Sequence, residues 1–190
     1  MSRSRAALTL AAGLVCLALA GCSSDTTTIT LDGPGDIPQG RATLDALASP
    51  EKVPLMLREE VGEAVTVRRV SLTSNGFSAE VRDSAKPQNL DRYSYYSGRW
   101  DTEPISVSMS DIEQLDTTTF SLGAVDWKII PELQRKALAG LDLEDEEIGA
   151  VSIDRISGDP VRIYVGVQGS RGNGALISNG RGGDVVVRRF

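Results

Sequence analysis

The sequence contains no histidine, and only 9 of its 190 residues are aromatic: 2 Trp, 4 Tyr and 3 Phe. Histidine is the commonest general base and metal ligand, and it is the side chain that changes charge near neutral pH. Its absence excludes Ser-His and Cys-His catalysis and removes the usual ligand of a zinc site. Carboxylates, serine, lysine, tyrosine and arginine remain for chemistry.

Cysteine is almost as scarce, and the two cysteines, Cys16 and Cys22, both lie near the start of the chain. Arg3 and Arg5 form a basic head ahead of an apolar run over residues 6–19, and small residues follow that run. This arrangement is typical of a secretory signal, and the run is too short to span a membrane as a stable helix. We expect residues 1–21 to be removed as a signal peptide, and Cys16 with them.

The stretch Leu19-Ala20-Gly21-Cys22 resembles the lipobox of bacterial lipoproteins. The resemblance implies diacylglyceryl transfer to the sulfur of Cys22, cleavage before it, and attachment of the new N-terminus to the cell membrane. The predicted location is therefore extracytoplasmic and lipid-anchored, and the alternative is an ordinary secretory signal. Since lipid consumes the one remaining sulfur, no intramolecular disulfide can form.

Lysine is scarce as well, with four among 20 basic residues, which is typical of a high-GC bacterium such as an actinomycete. The formal net charge is -6, and losing residues 1–21 removes two arginines and no acid, which makes it -8. An acidic exterior argues against nucleic acid as a partner and against electrostatic adhesion to anionic lipid. The predicted contact with the membrane is therefore the lipid on Cys22.

Residues 22–48 are predicted to form the lipidated cysteine and a flexible tether, because Ser, Thr, Asp, Gly and Pro dominate. A coil of this length would hold a domain on the order of 30 Å from the membrane. The folded domain is predicted over residues 49–190, where hydrophobic periodicity becomes regular.

The folded part is predicted to consist of two similar halves, residues 49–109 and 126–190. In the first, Ser49 and Pro50 open a helix, with Pro54 as a kink or a later start, and four strands follow. In the second, Asp126 caps a helix to about Leu141, and another set of short strands follows. Residues 110–125, polar and poorly periodic, are predicted to be a crossing segment.

This order predicts an α+β fold in which two helix-plus-antiparallel-meander units form one domain. It resembles the small helix-meander modules of bacterial envelope proteins, such as PepSY-like and BamE-like domains. The resemblance covers each half at the level of element order and transfers no site residues.

Three patterns suggest chemistry and are better explained by structure. The acidic run over residues 142–147 lacks the turn glycine of a calcium loop, which favours a solvated helix end. The glycines over residues 166–174 join strand to strand, so they predict a hairpin and not a phosphate loop. Asp111 and Glu113 could serve a glycosidase only with a second acid at the right distance. We therefore predict no metal site, no cofactor and no catalytic residue.

One cluster is a candidate site for a ligand or a partner: Tyr93, Tyr95, Arg99 and Trp100, near Tyr96. Aromatic faces beside a guanidinium suit sugars, peptides or protein partners. The alternative is cross-strand packing under a helix. We expect the mixed case, in which Tyr96 or Trp100 points inward and the face shared by Tyr93 and Tyr95 is at least half open.

Together these features predict a membrane-anchored cell-envelope lipoprotein that is not an enzyme and binds an envelope protein or glycan. Binding needs neither histidine nor cysteine, whereas most catalytic constellations need one of them. The alternative is a carboxylate-dependent envelope hydrolase acting on cell-wall glycan.

Overall fold

The computed structural model describes residues 43–190, which form an α+β domain built on one antiparallel sheet. Within these residues the sheet has nine strands: β1 (Thr66–Thr73), β2 (Gly76–Arg82), β3 (Leu90–Tyr96), β4 (Arg99–Ile105), β5 (Phe120–Ser121), β6 (Glu147–Asp154), β7 (Arg162–Gly169), β8 (Gly172–Asn179) and β9 (Val186–Arg189). The α-helices are α1 (Val53–Val61), α2 (Met109–Thr118) and α3 (Ile130–Leu141). The predicted signal peptide and the lipidation site at Cys22 lie outside the described residues, as does most of the tether.

The sheet consists of two four-stranded meanders joined through their first strands. The strand order is β4-β3-β2-β1-β6-β7-β8-β9, and the short β5 pairs with the start of β1. At the junction β1 and β6 are antiparallel, with Val70 opposite Ile153 and Leu72 opposite Val151. Each meander follows a helix, α1 or α3, so the predicted α+β fold with two helix-meander units is confirmed.

One face of the sheet carries the core, and α1 and α3 cover it. Because side chains alternate along a strand, every second residue of the long strands points to this face. Val53 and Leu57 of α1 and Ile130 and Leu133 of α3 belong to the same buried cluster as the strand residues. Fully burying one such side chain contributes about 1.5–3 kcal/mol, so these two helices hold the sheet in place.

Both helices begin near the predicted positions, each after a short 3₁₀ turn, but the side chain of Ser49, predicted to open the first helix, makes no capping hydrogen bond. Residues Pro50–Lys52 form the first turn, and α1 starts at Val53, so Pro54 lies in its first helical turn, where no backbone N–H is needed. Ahead of α3, the side chain of Asp126 accepts a hydrogen bond from the backbone N–H of Lys128 at 3.2 Å.

The helix α2 corrects the prediction of an irregular crossing segment over residues 110–125. Its N-terminus has a capping box, in which Ser108 and Asp111 each accept a hydrogen bond from the other's backbone N–H. Near the C-terminus of α2, Asp116 forms an ion pair with Arg82 on β2 at 2.6 Å. Because α2 has few apolar residues, its sequence shows no clear helical periodicity. The capping residues determine where the helix begins.

The domain also begins earlier than predicted. Leu44 and Ala46, assigned to the tether from composition, are buried, and the backbone N–H of Ala46 donates to the carbonyl of Thr73. The side chain of Gln134 on α3 donates to the carbonyl of Leu47. Residues 44–47 are therefore part of the folded domain, because their apolar side chains fill the space at the end of β1. No helix within residues 43–190 is long and apolar enough to cross a membrane.

Candidate functional site

The four residues predicted to form one patch lie in different environments. Tyr93, Tyr95 and Trp100 point to the helix-covered face of the sheet, whereas Arg99 lies on the other face, opposite Tyr96. Tyr95 is 1% exposed, and Trp100 is partly buried against the core. The expectation of an open face shared by Tyr93 and Tyr95 is wrong for Tyr95, while Trp100 points inward as expected.

Cross-strand packing explains the burial of these rings. Phe77 on β2 lies opposite Tyr95, which lies opposite Trp100 on β4. The ring centroids are 6.0 Å apart for Phe77 and Tyr95, 5.5 Å for Phe77 and Trp100, and 5.2 Å for Tyr95 and Trp100. Such pairs contribute about 0.5–1.5 kcal/mol each beyond their burial. The aromatic cluster is thus mainly a part of the core.

Tyr93 lines a concave surface, a cleft of about 290 Å³ at one end of the helix-covered face. The end of α1 forms one wall, and the β2–β3 hairpin forms the other. The lining residues are Val61, Gly62, Ala64, Val81, Arg82, Asp83, Ser84, Asp91 and Tyr93.

The environment of this cleft is negative. Burial raises the pKa of the Tyr93 phenol, and the charges of Asp91, Glu60 and Asp83 raise it further. Tyr93 is therefore a neutral hydrogen-bonding group at physiological pH and cannot act as a phenolate there. The Oδ1 of Asp83 accepts hydrogen bonds from two backbone N–H groups, those of Ala85 at 2.8 Å and Lys86 at 3.1 Å, so it closes the turn after β2.

Sequence reasoning missed Asp83 and Asp91 because a loop separates them along the chain. The β2–β3 pairing brings them to the same end of the sheet, where Asp91 lies opposite Val81. The one available signal was the alternation of β3, which places Asp91 on the same face as Tyr93 and Tyr95. An acid at an otherwise apolar position marks the place where that face reaches solvent.

The opposite face of the first half carries alternating charges across neighbouring strands. Arg92 on β3 contacts Glu103 on β4 at 2.6 Å and Glu80 on β2 at 3.7 Å. Glu80 also accepts from Arg68 on β1 at 2.7 Å, and its side chain is 12% exposed. We call this row of side chains the charge ladder; it comprises Arg68, Glu80, Arg92 and Glu103, and it continues into the second half through Arg69, Asp154 and Arg162.

A bulge in β1 continues the charge ladder into the second half. The pairing with β2 shifts between Val67 and Arg69, which adds one residue to β1. Arg69 lies 3.9 Å from Asp154 on β6, and Asp154 accepts from Arg162 on β7 at 2.9 Å. The two consecutive arginines of the bulge therefore pair with acids on opposite sides of the central strand. Exposed pairs contribute about 0–1 kcal/mol each, so the exposed members of this row add little stability.

A shallow groove of about 390 Å³ lies beside the charge ladder in the second half, on the same face. Small residues line its floor, and Tyr164 and Phe190 stand exposed at its sides. Its lining comprises Gly149, Ala150, Tyr164, Gly166, Val167, Gln168, Asn173, Gly174 and Phe190. The volume is at the lower end of the range of small-molecule sites, which is about 300–1,000 Å³.

The other sequence patterns with possible chemistry have structural roles. Asp111 serves the capping box of α2, where the hydrogen bonds of Ser108 lower the pKa of its carboxyl. In the acidic run, Glu144 pairs with Arg171 at 3.0 Å and Glu147 begins β6. Residues 166–174 form the β7–β8 hairpin, as predicted. Within residues 43–190 no group of three or more acidic or cysteine side chains is arranged to hold a metal ion.

The chain matches no protein-family model, no curated protein and no solved structure. The likeness to PepSY-like and BamE-like modules therefore stays a prediction about element order.

Proposed function

We propose that this protein is a lipid-anchored component of the bacterial cell envelope that binds an extracytoplasmic ligand or partner protein and catalyses no reaction. The observation that supports lipid anchoring is the stretch Leu19-Ala20-Gly21-Cys22, which lies at the end of an apolar run that follows a basic head. Two or three acyl chains on Cys22 suffice for stable anchoring, whereas one chain binds only marginally. The acidic mature chain makes lipid the necessary means of attachment.

The geometry of the described residues supports binding. The concave surfaces of the domain include the cleft at Tyr93 and the groove between Tyr164 and Phe190. The cleft is lined mainly by polar and charged groups around Tyr93, whereas the groove combines small apolar residues and two aromatic rings with a few polar groups. Two partly buried acids of the sheet, Glu80 and Asp154, are paired with arginines and are not available to a substrate.

The alternative, a carboxylate-dependent hydrolase, is favoured by one observation: Asp83 and Asp91 line the same cleft. Glycoside hydrolysis needs one carboxylate as acid and a second as base or nucleophile. Asp83 is already held by two backbone N–H groups, which orients it toward its own loop. The cleft therefore supports ligand binding better than hydrolysis.

The anchor is tested by labelling cells with a fatty acid and recovering the protein. We expect label on the unsubstituted chain and on the control Cys16→Ala, and none on Cys22→Ala. The same preparation, incubated with soluble cell-wall glycan fragments, separates binding from hydrolysis. A raised Tm without new reducing ends supports binding, whereas new reducing ends that disappear with Asp91→Asn support the hydrolase. Label retained on Cys22→Ala contradicts the anchor.

A further inference from the structure

The sheet ends in two edge strands, β4 and β9, and they differ in protection. Edge strands expose backbone N–H and C=O groups that can pair with another chain, and proteins block them with charges and proline. Within Arg99–Ile105, β4 carries Asp101, Glu103 and Pro104. Proline donates no hydrogen bond, and the acids keep the strand hydrated. The edge at β4 is therefore closed to strand addition.

The edge at β9 is less protected, since its charged residues are Arg188 and Arg189 at its C-terminal end. Strand Val186–Arg189 contains no proline and no acid, and its apolar side chains are exposed, with Val186 45% and Phe190 73% exposed. Val185 and Val187 are exposed as well. Exposed valines in an edge strand are a cost to a monomer, because this composition favours pairing with another strand.

The pairing with β8 shows which backbone groups of β9 point outward. The N–H of Phe190 donates to the carbonyl of Asn173 at 2.9 Å, so these two residues form a hydrogen-bonded pair. In an antiparallel ladder such pairs alternate with non-hydrogen-bonded pairs. Arg188 and Val186 therefore bond to β8, whereas the N–H and C=O of Val187 point away from it. Within residues 43–190 no backbone partner pairs with Val187 on that side.

We propose that β9 pairs antiparallel with β9 of a second copy of this chain, about a two-fold axis at Val186. In this register Val186 lies opposite its own copy, and Val185 forms a hydrogen-bonded pair with the second copy's Val187. Arg188 lies opposite the second copy's Asp184. Three apolar pairs and two ion pairs then meet across a single continuous sheet.

Charge complementarity selects this register and this occupant. Arg188 is exposed, and no ion pair joins it to any residue between 43 and 190. Asp184 lies just before β9 at a bend with φ 55°, and its Oδ2 accepts a hydrogen bond from Asn179 at 2.7 Å, so its second oxygen can accept from the long side chain of Arg188 of the second copy. A register centred on Arg188 would place two arginines opposite each other, which is destabilising. Of these two registers, only the one centred on Val186 pairs opposite charges.

The surroundings of β9 accommodate a second strand. Gly140 is the α3 residue that faces Val187, and an added Cβ there would lie 3.4 Å from a Val187 methyl group. Because Gly140 has no side chain, the helix adds little bulk beside the edge. The chain already contains one junction of this kind, since β1 and β6 join the two meanders as antiparallel neighbours.

This inference goes beyond the proposed function and does not depend on the lipid, so the two can fail separately. In the proposed register Val186 and its copy form a non-hydrogen-bonded pair, in which Cα atoms are about 4.5 Å apart. That separation suits a disulfide. We expect Val186→Cys to form a covalent dimer on oxidation of the full chain in detergent. The matched control is Thr102→Cys on β4, and the unsubstituted chain measures the background from Cys16 and Cys22.

A charge exchange tests the register and the identity of the partner together. Arg188→Asp and Asp184→Arg each place like charges opposite each other, and each should weaken self-association by about tenfold in sedimentation. Mixing the two variants restores both ion pairs, so the mixture should associate as the unsubstituted chain does. A Val186→Cys dimer no stronger than that of Thr102→Cys overturns the proposal, and so does a mixture that associates no better than either variant alone.

Discussion

The two halves of the domain fill equivalent rows of the sheet with different side chains. In the first half one row across the inner face carries Phe77, Tyr95 and Trp100, while the second half carries Val165, Leu176 and Val187. The first helix has 9 residues and the third has 12. Large rings fill the volume that a short helix leaves, whereas a longer helix needs only aliphatic residues beneath it.

The glycines of the second half show the same contrast between packing by large side chains and packing by close backbone approach. An added Cβ at Gly174 on β8 would lie 2.4 Å from a methyl group of Leu141, so helix and strand touch there. In the first half Tyr93 and Tyr95 occupy inward positions of β3, the strand next to the edge strand. The same order of elements is thus packed by large side chains in one half and by close backbone approach in the other.

The largest expected effect is the loss of Tyr95. Because its ring is buried against Phe77 and Trp100, Tyr95→Ala should lower the free energy of unfolding by about 3–5 kcal/mol. Tyr96→Ala on the other face is the control, with an expected loss of about 1 kcal/mol. Chemical denaturation of both variants measures the difference. Equal losses would mean that the aromatic row is not the core of the first half.

The next largest loss of stability is expected at Gly174 in the second half. Gly174→Ala places a methyl group against Leu141 and against the carbonyl of Arg188, 2.7 Å away. Overpacking of this kind costs about 1–3 kcal/mol. At Gly172 the nearest atom, a methyl of Leu143, is 3.7 Å away, so Gly172→Ala should stay within about 0.5 kcal/mol. Thermal melts that rank the two glycines in the reverse order would contradict close packing here.

The charge ladder should show a smaller effect that depends on burial. Glu80 contacts two arginines and is 12% exposed, whereas Glu103 contacts one arginine and is 55% exposed. We expect Glu80→Gln to lower stability by about 1–2 kcal/mol and Glu103→Gln by less than about 0.5 kcal/mol. Denaturation at low and high salt distinguishes them, because salt screens only the exposed pair strongly. A salt-sensitive loss at Glu80 would show that its pairs are solvated.

The smallest effect concerns alkaline pH. The pKa of Tyr93 is raised from its ordinary value of 10.0, by burial first and then by neighbouring acids. In the unfolded chain the phenol loses its proton at lower pH than in the folded chain, so the unfolded state binds fewer protons above about pH 10. Stability should therefore be unaffected below that pH and fall as the pH rises through the folded-state value.

Two variants check this sign. Tyr93→Phe should make the alkaline loss of stability shallower, since the titrating group is gone. Asp91→Asn should lower the pKa of Tyr93 toward its ordinary value, as followed by the absorbance of the phenolate. If Tyr93→Phe leaves the Tm at alkaline pH unchanged, groups other than Tyr93 cause the alkaline loss of stability.

Much of the fold could be predicted because its signals are local. The alternation in β2 and β7, the Asn75-Gly76 turn and the cap at Asp126 each act within a few residues. The helix α2 was missed because its apolar positions are few, although Ser108 and Asp111 have the spacing of a capping box. Local periodicity identifies an element only when the element buries a regular face.

The candidate site was predicted in part. Alternation correctly placed Tyr93 and Tyr95 on one face of β3, but it could not tell whether a helix covers that face. Asp83 and Asp91 escaped notice because the hairpin, and not their spacing, brings them to the cleft. Whether a helix covers a strand face, and which side chains meet in a cleft, depends on residues that lie far apart in the chain.

By itself, the sequence determined the α+β order, the two helix-meander halves and the residues suited to a lipid anchor, because these follow from short-range periodicity and motifs. The tertiary structure alone decided that β1 pairs with β6, that Tyr95 is buried, and that the edge at β9 is open while β4 is blocked. Pairing between distant strands depends on loop closure and on which surfaces meet, and no local pattern encodes that outcome.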